Sequence, residues 1–129
     1  MKEAIQPEGL APAIGIYSPA VLAGNWIYVS GQLPPSDVEI EGDIKTQTLH
    51  ILDNIERILA AAGTGETGRN DIVKTTVYLM DMSDFPAVNE AYNVFFTAPY
   101  PARVCVQVAG LPKNARIEID AIAYRKSGN

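Results

Sequence analysis

Reactive side chains are scarce in this sequence. Its 129 residues include one cysteine, Cys105, and one histidine, His50. A lone cysteine excludes an intramolecular disulfide and a cysteine-based zinc cluster, and it suits a reducing compartment. His50 falls between Gln47 and Asn54 on the polar side of an apolar stripe. Nothing nearby supplies a triad or metal partner, so it reads as a solvated side chain. Basic residues are also few: 10 Lys and Arg stand against 15 Asp and Glu, a formal charge of −5, which argues against a broad phosphate-binding surface. No stretch approaches the roughly 20 apolar residues of a membrane span. Met1 to Gly15 contains Glu3 and Glu8 without a long apolar run, as neither a signal nor a transit peptide would. The simplest expectation is a cytoplasmic protein. Hydrophobic residues make up 47% of the chain, enough for one folded domain, residues 1–129, with a single core.

Local patterning predicts strands and two helices. Lys2–Ile5 is a candidate edge strand, and Pro7–Gly15 is a loop rich in Pro, Gly and Ala. Tyr17–Ala23 reads as extended, with Pro19 placing it at an edge. Gly24-Asn25 turns into the aromatic and β-branched strand Trp26–Ser30, which the Gly31–Pro35 segment ends. Ser36–Gly42 is an acidic connection. Asp43 is a good helix N-cap and Gly63 a C′ residue; between them Ile44, Thr48, Ile51, Ile55, Leu59 and Ala62 recur at helical spacing. Gly63–Asn70 follows a helix and lacks a Gly-Lys-Ser/Thr ending, so it is no phosphate loop. Asp71–Leu79 has strong β propensity. Ser83 caps a second helix with Pro86 in its first turn and Phe85, Val88, Tyr92 and Phe95 as its buried stripe, stopping before Pro99 and Pro101. Strands joined through helices imply parallel pairing.

Tyr100–Ala123 organises the rest. It reads as two strands around Gly110-Leu111-Pro112-Lys113-Asn114. Val104, Val106 and Val108 alternate with Arg103, Cys105 and Gln107, and Glu118 alternates with Ile117 and Ile119. An arginine on a valine-rich strand with a carboxylate on the next is charge placed near a core. On residue type alone, Arg103 reads as an ion pair with Glu118 or Asp120, Glu118 as a structural partner, and Cys105 as packing. Tyr17 reads as edge-strand packing, Ser30-Gly31 as a strand end, and Asn89 as a helix-surface amide.

Several segments together resemble one family. Gly15-Ile16-Tyr17-Ser18, Val29-Ser30-Gly31-Gln32, Asp71-Ile72-Val73-Lys74-Thr75-Thr76-Val77, Asn89-Glu90-Ala91-Tyr92, Pro101-Ala102-Arg103-Val104-Cys105-Val106 and Ile117-Glu118-Ile119 are similar to the RidA/YjgF proteins. These are reactive imine/enamine deaminases also described as endoribonuclease L-PSP. The similarity spans nearly the whole chain. It implies an α+β, chorismate-mutase-like fold: one mixed β-sheet of about six strands, with two helices packed on one face. The last strand would insert centrally and antiparallel, and not form the hairpin that local pattern predicts. The resemblance further implies a homotrimer with clefts between subunits, which also fits strands apolar on both faces.

The resemblance also implies roles. Arg103 would bind a substrate carboxylate through two parallel hydrogen bonds, and Glu118 would order or activate the attacking water. Tyr17, Ser30, Gly31, Asn89 and Cys105 would line the substrate site, Cys105 without acting as a nucleophile. The implied reaction is hydrolysis of small 2-imino or enamine acids, 2-aminoacrylate and 2-aminocrotonate, to 2-keto acids and ammonia, with no metal or organic cofactor. Alternatives are an endoribonuclease or translation inhibitor, and a non-catalytic keto-acid-binding or chaperone protein; neither a nucleic acid nor a membrane is the favoured partner. Ile16, Pro19 and Val104 depart from the residues common in the family. Those near Tyr17 bear on substrate size.

Overall fold

The computed structural model describes residues 1–10, 15–35, 42–62 and 66–125. Its elements are β1 (Lys2–Ile5), β2 (Ala20–Ala23), β3 (Trp26–Gln32), α1 (Ile44–Ala62), β4 (Ile72–Leu79), α2 (Phe85–Phe95), β5 (Ala102–Gln107) and β6 (Ile117–Tyr124). The six strands form one sheet in the order β1-β2-β3-β6-β4-β5. β4 and β5, joined through α2, are parallel; β6 lies antiparallel between β3 and β4. The central final strand is thus as the resemblance implied. The predicted hairpin is not formed: β5 leads into a turn over Pro112–Asn114, in which Lys113 and Asn114 both adopt φ of 56°, and the chain crosses to the other side of β4.

Both helices pack on one face of the sheet. Ile44, Thr48, Ile51, Ile55, Leu59 and Ala62 are buried as their spacing predicts, joined by Gln47, Leu52 and Ile58. Gln47 therefore belongs to the buried side, and the polar face is narrower than the sequence indicated, although His50 is exposed. These side chains meet Ile27, Val29, Val77, Leu79, Ile117, Ile119, Ala121 and Ala123 from the sheet, each large aliphatic group contributing roughly 1.5–3 kcal/mol.

Helix starts follow capping chemistry. The Asp43 carboxylate accepts from the Lys45 N–H at 3.2 Å. At the second helix the cap is not Ser83. Asp81 accepts from the Ser83 N–H at 2.9 Å, capping a short 3-10 turn over Met82–Asp84 that runs directly into α2 with Pro86 in its first turn. Two further boundaries move. β2 begins only at Ala20, and β3 continues through Gly31 to Gln32 across a register shift against β6. Gly63, most of the Ser36–Gly42 connection and the start of the Gly63–Asn70 loop lie outside the described residues.

Among the described residues, no helix covers the opposite face of the sheet. Trp26, Tyr28, Val104, Val106 and Tyr124 are exposed on it, and Trp26 meets Tyr124 edge to face with ring centroids 5.0 Å apart.

Candidate functional site

β5 is an edge strand, and its alternation sorts its side chains between two unlike environments. Val104 and Val106 lie on the uncovered face, 43% and 39% exposed, while Arg103 and Cys105 are half-buried beneath α2. Polar and apolar positions are thus reversed from the usual reading of an alternating strand, in which valines face the core. Alternation shows which residues share a face; it does not show which face the helices cover.

Arg103 is paired across the parallel ladder with Thr75. Its guanidinium carbon lies over the rings of Phe85, at 5.1 Å, and Tyr92, at 4.8 Å, both from α2. No hydrogen bond or ion pair engages this guanidinium among the described residues. With Asn89, Tyr92, Asn93, Tyr100 and Pro101 it lines a cleft of about 430 Å³. The expected ion pair with Glu118 or Asp120 is not formed. Two other arginines show the contrast. Arg69 spends its donors on the Glu56 carboxylate, at 2.7 and 2.8 Å, and on the Phe95 carbonyl. Arg116 spends its own on the Gly42 carbonyl and Asp84. Arg103 keeps its N–H edge open.

The surroundings of Arg103 hold their protons. Burial pushes Tyr92 up to about 12, against the opposing effects of its hydrogen bond with Thr75 and the nearby Arg103 charge. Burial likewise raises the Cys105 thiol above its ordinary value, with Arg103 pulling the other way. Cys105 shares the face of Arg103 but does not line the cleft, and a thiol held protonated is a poor nucleophile.

A second group gathers on the uncovered face. Glu118 pairs with Tyr78 of β4 and is half-buried. Its carboxylate occupies the space that a side chain at Gly31 would take. Burial raises its proton affinity above the usual carboxylate range, and the neighbouring Asp120 charge adds to the effect. Asp120 itself accepts from the Tyr78 hydroxyl at 2.9 Å. Ser30 anchors the preceding loop, its hydroxyl donating to the Ser18 carbonyl at 2.6 Å and its N–H to the Pro19 carbonyl at 3.0 Å. Those bonds tie the Tyr17 segment to the strand, and Tyr17 remains 54% exposed.

The sequence-predicted residues therefore divide in two. Arg103, Cys105 and Asn89 lie on the helix side, Asn89 and Arg103 in one cleft. Glu118 and Gly31 touch on the uncovered side, with Ser30 and the Tyr17 segment joined to Gly31 through β3. Sequence reading missed Phe85 and Tyr92 as neighbours of Arg103, and Asn93 and Tyr100 as cleft walls. One signal was available for Tyr92: a phenol within an otherwise apolar stripe needs a partner for its hydroxyl.

Comparison with known proteins finds relatives over nearly the whole chain. Residues 8–125 match the family model described as endoribonuclease L-PSP. A RutC family protein of Pyrococcus horikoshii is 50% identical over 129 residues, covering 98% of this chain and 100% of the relative. The 2-iminobutanoate/2-iminopropanoate deaminase of Escherichia coli is 47% identical over 131 residues, covering 98% of this chain and 100% of its own. Among solved structures, E. coli TdcF with bound serine superposes with a TM-score of 0.85 at 40% identity, covering 96% of this chain and 99% of that one.

Proposed function

The chain belongs to the RidA/YjgF family, matched by the endoribonuclease L-PSP model, and from that membership we propose that it hydrolyses small 2-imino acids and their enamine tautomers to 2-keto acids and ammonia. The observation that carries this reading is the open N–H edge of Arg103 in a cleft about 430 Å³ in volume. A guanidinium so placed receives a carboxylate through two parallel charge-assisted hydrogen bonds. The deaminase name of a relative 47% identical supports the substrate class, and the serine-bound relative supports binding of a small amino-acid-like molecule.

In the proposed reaction Arg103 anchors the carboxylate and leaves the adjacent C=N carbon facing water. Glu118 takes a proton from that water as its oxygen bonds to carbon, and the imine nitrogen gains a proton. Glu118 passes the first proton to that nitrogen and is restored. The carbinolamine then collapses as its hydroxyl proton moves through Glu118 to the amino group, the C–N bond breaks, and ammonia leaves with the bonding pair to give the keto acid. Positioning and one proton-transfer group suffice for an already electrophilic substrate. Burial and the Asp120 charge raise the proton affinity of Glu118, the direction that makes a carboxylate a better proton acceptor. Tyr17, Ser30, Gly31 and Asn89 are the remaining proposed lining residues, and Cys105 is proposed to flank the site from the face of β5 that it shares with Arg103.

This chemistry joins two groups that a single copy holds on opposite sheet faces. We propose a homotrimer in which the exposed Trp26, Tyr28, Val104, Val106 and Tyr124 are buried and one copy's Arg103 meets another's Glu118 across a subunit boundary. The test is release of ammonia and keto acid from freshly generated 2-iminobutanoate. Acceleration over buffer, abolished in Arg103→Ala, is expected; no acceleration by the purified protein ends the proposal. Keto-acid binding without turnover identifies a sensor. The name of the family model favours RNA cleavage as a second reading, which predicts RNA binding with a steep salt dependence.

A further inference from the structure

Arg103 differs from Arg69 and Arg116 in how it is held. Arg69 also lies over a ring, Phe95 at 3.9 Å, yet its donors are taken by Glu56 and a carbonyl. A carboxylate clamp fixes a guanidinium by consuming the N–H groups that a ligand would need. An aromatic ring attracts the cation through its π face and consumes none.

We propose that Phe85, Tyr92 and Thr75 are positioning residues that hold the Arg103 guanidinium in place while leaving its N–H edge free for an incoming carboxylate. Phe85 and Tyr92 stand seven residues apart on α2, two turns, so both rings reach the same point on β5. Tyr92 is in turn fixed at its far end: its hydroxyl is 2.7 Å from the Thr75 hydroxyl, a bond buried between helix and sheet. Thr75 is fully buried and is the residue paired with Arg103 across the β4–β5 ladder. The strand register thus sets guanidinium and ring anchor side by side. Replacing either hydroxyl leaves the other buried without its partner. Tyr92 also packs on Phe96, with centroids 5.2 Å apart, which limits its ring from turning away.

The inference rests on Arg103 as the carboxylate anchor, so its test has one arm independent of turnover. In protein carrying isotope-labelled arginine, the Nε–H signal of Arg103 is assigned by its loss in Arg103→Lys, and its order parameter is measured. Phe85→Leu and Tyr92→Leu are expected to lower that order parameter while the Arg69 signal is unchanged. Tyr92→Phe and Thr75→Val, which remove one and the same hydrogen bond, are expected to lower it by similar, smaller amounts. In the second arm KM for 2-iminobutanoate rises roughly 5–30-fold in the leucine variants, with kcat falling less and with Tyr92→Phe recovering most of the loss. Phe85 is only half-buried, so Phe85→Leu decides the matter if Tyr92→Leu fails to fold. An unchanged Arg103 order parameter in folded Phe85→Leu overturns the clamp. Absence of turnover in the unaltered protein overturns the deaminase reading instead, and the Nε–H arm still decides the clamp.

Discussion

Arg103 and Glu118 leave the same sheet in opposite directions. In register, Arg103 aligns through Thr75 with Ala121, whereas Glu118 aligns through Tyr78 with Val106. The guanidinium meets α2 and the carboxylate meets Gly31 on the far face. A pleated strand cannot bring both to one point within a chain, so a site using both needs a second copy.

Mixing variants tests this directly. Arg103→Ala and Glu118→Gln are each expected to lose on the order of 10³-fold in kcat/KM. Co-refolded in equal amounts, they regain about one quarter of the unaltered activity, because a random cyclic assembly places an intact arginine against an intact glutamate at that fraction of its boundaries. No recovery, despite proven subunit exchange, overturns a site shared between copies.

The acid limb of the rate profile reports Glu118. Its proton affinity is raised, first by burial and then by Asp120, so as pH falls the working carboxylate is lost above the ordinary glutamate range. The pH profile of kcat/KM is expected to show that limb, and Asp120→Asn to move it to lower pH by removing a like charge. A limb unmoved by Asp120→Asn assigns the titration to another group.

Gly31→Ala separates site from fold. The added Cβ collides with the Glu118 carboxylate, the mobile end of a side chain, so the carboxylate moves and the strand survives. The expected result is a loss of about 10–100-fold in kcat with a stability change near 1–2 kcal/mol, read by denaturant titration.

Cys105→Ala is expected to keep activity within about threefold, since burial holds the thiol protonated. A complete loss, with the fold intact by circular dichroism, makes the sulfur a participant.

Stability in acid depends on Glu56. Its hydrogen bonds with Arg69 hold its carboxyl below the ordinary glutamate value. A lowered folded value gives stability that is present above the unfolded value and lost as pH falls through the folded one. Glu56→Gln is expected to cost about 1 kcal/mol at neutral pH and to differ less from the unaltered protein below about pH 4, measured by urea unfolding across pH.

Much of the fold is local chemistry and was legible as such. The 3.6-residue spacing from Ile44 to Ala62 gives α1, aromatic and β-branched residues give β3, period-two alternation gives β5 and β6, and Asp43 is the cap that its side chain predicts. Ser83 misled because Asp81, two residues earlier, offers a carboxylate to the same turn. Asn89 and Arg103 were picked out separately, and helix and strand bring them to one cleft. The clamp on Arg103 was not legible, because Phe85 and Tyr92 reach it across packed elements, and no pattern within either segment encodes that contact.

Sequence alone determined which segments form helices and strands, though not every boundary, and which neighbours along a strand share a side, because both follow from backbone geometry repeated over a few residues. Only tertiary structure decided which side of β5 lies beneath α2 and that Arg103 and Glu118 part company; the central place of β6 followed from the family resemblance and not from local pattern, which favoured a hairpin. Those outcomes depend on contacts between segments far apart in the chain, where burial of the whole sheet selects among arrangements that local preference leaves equal.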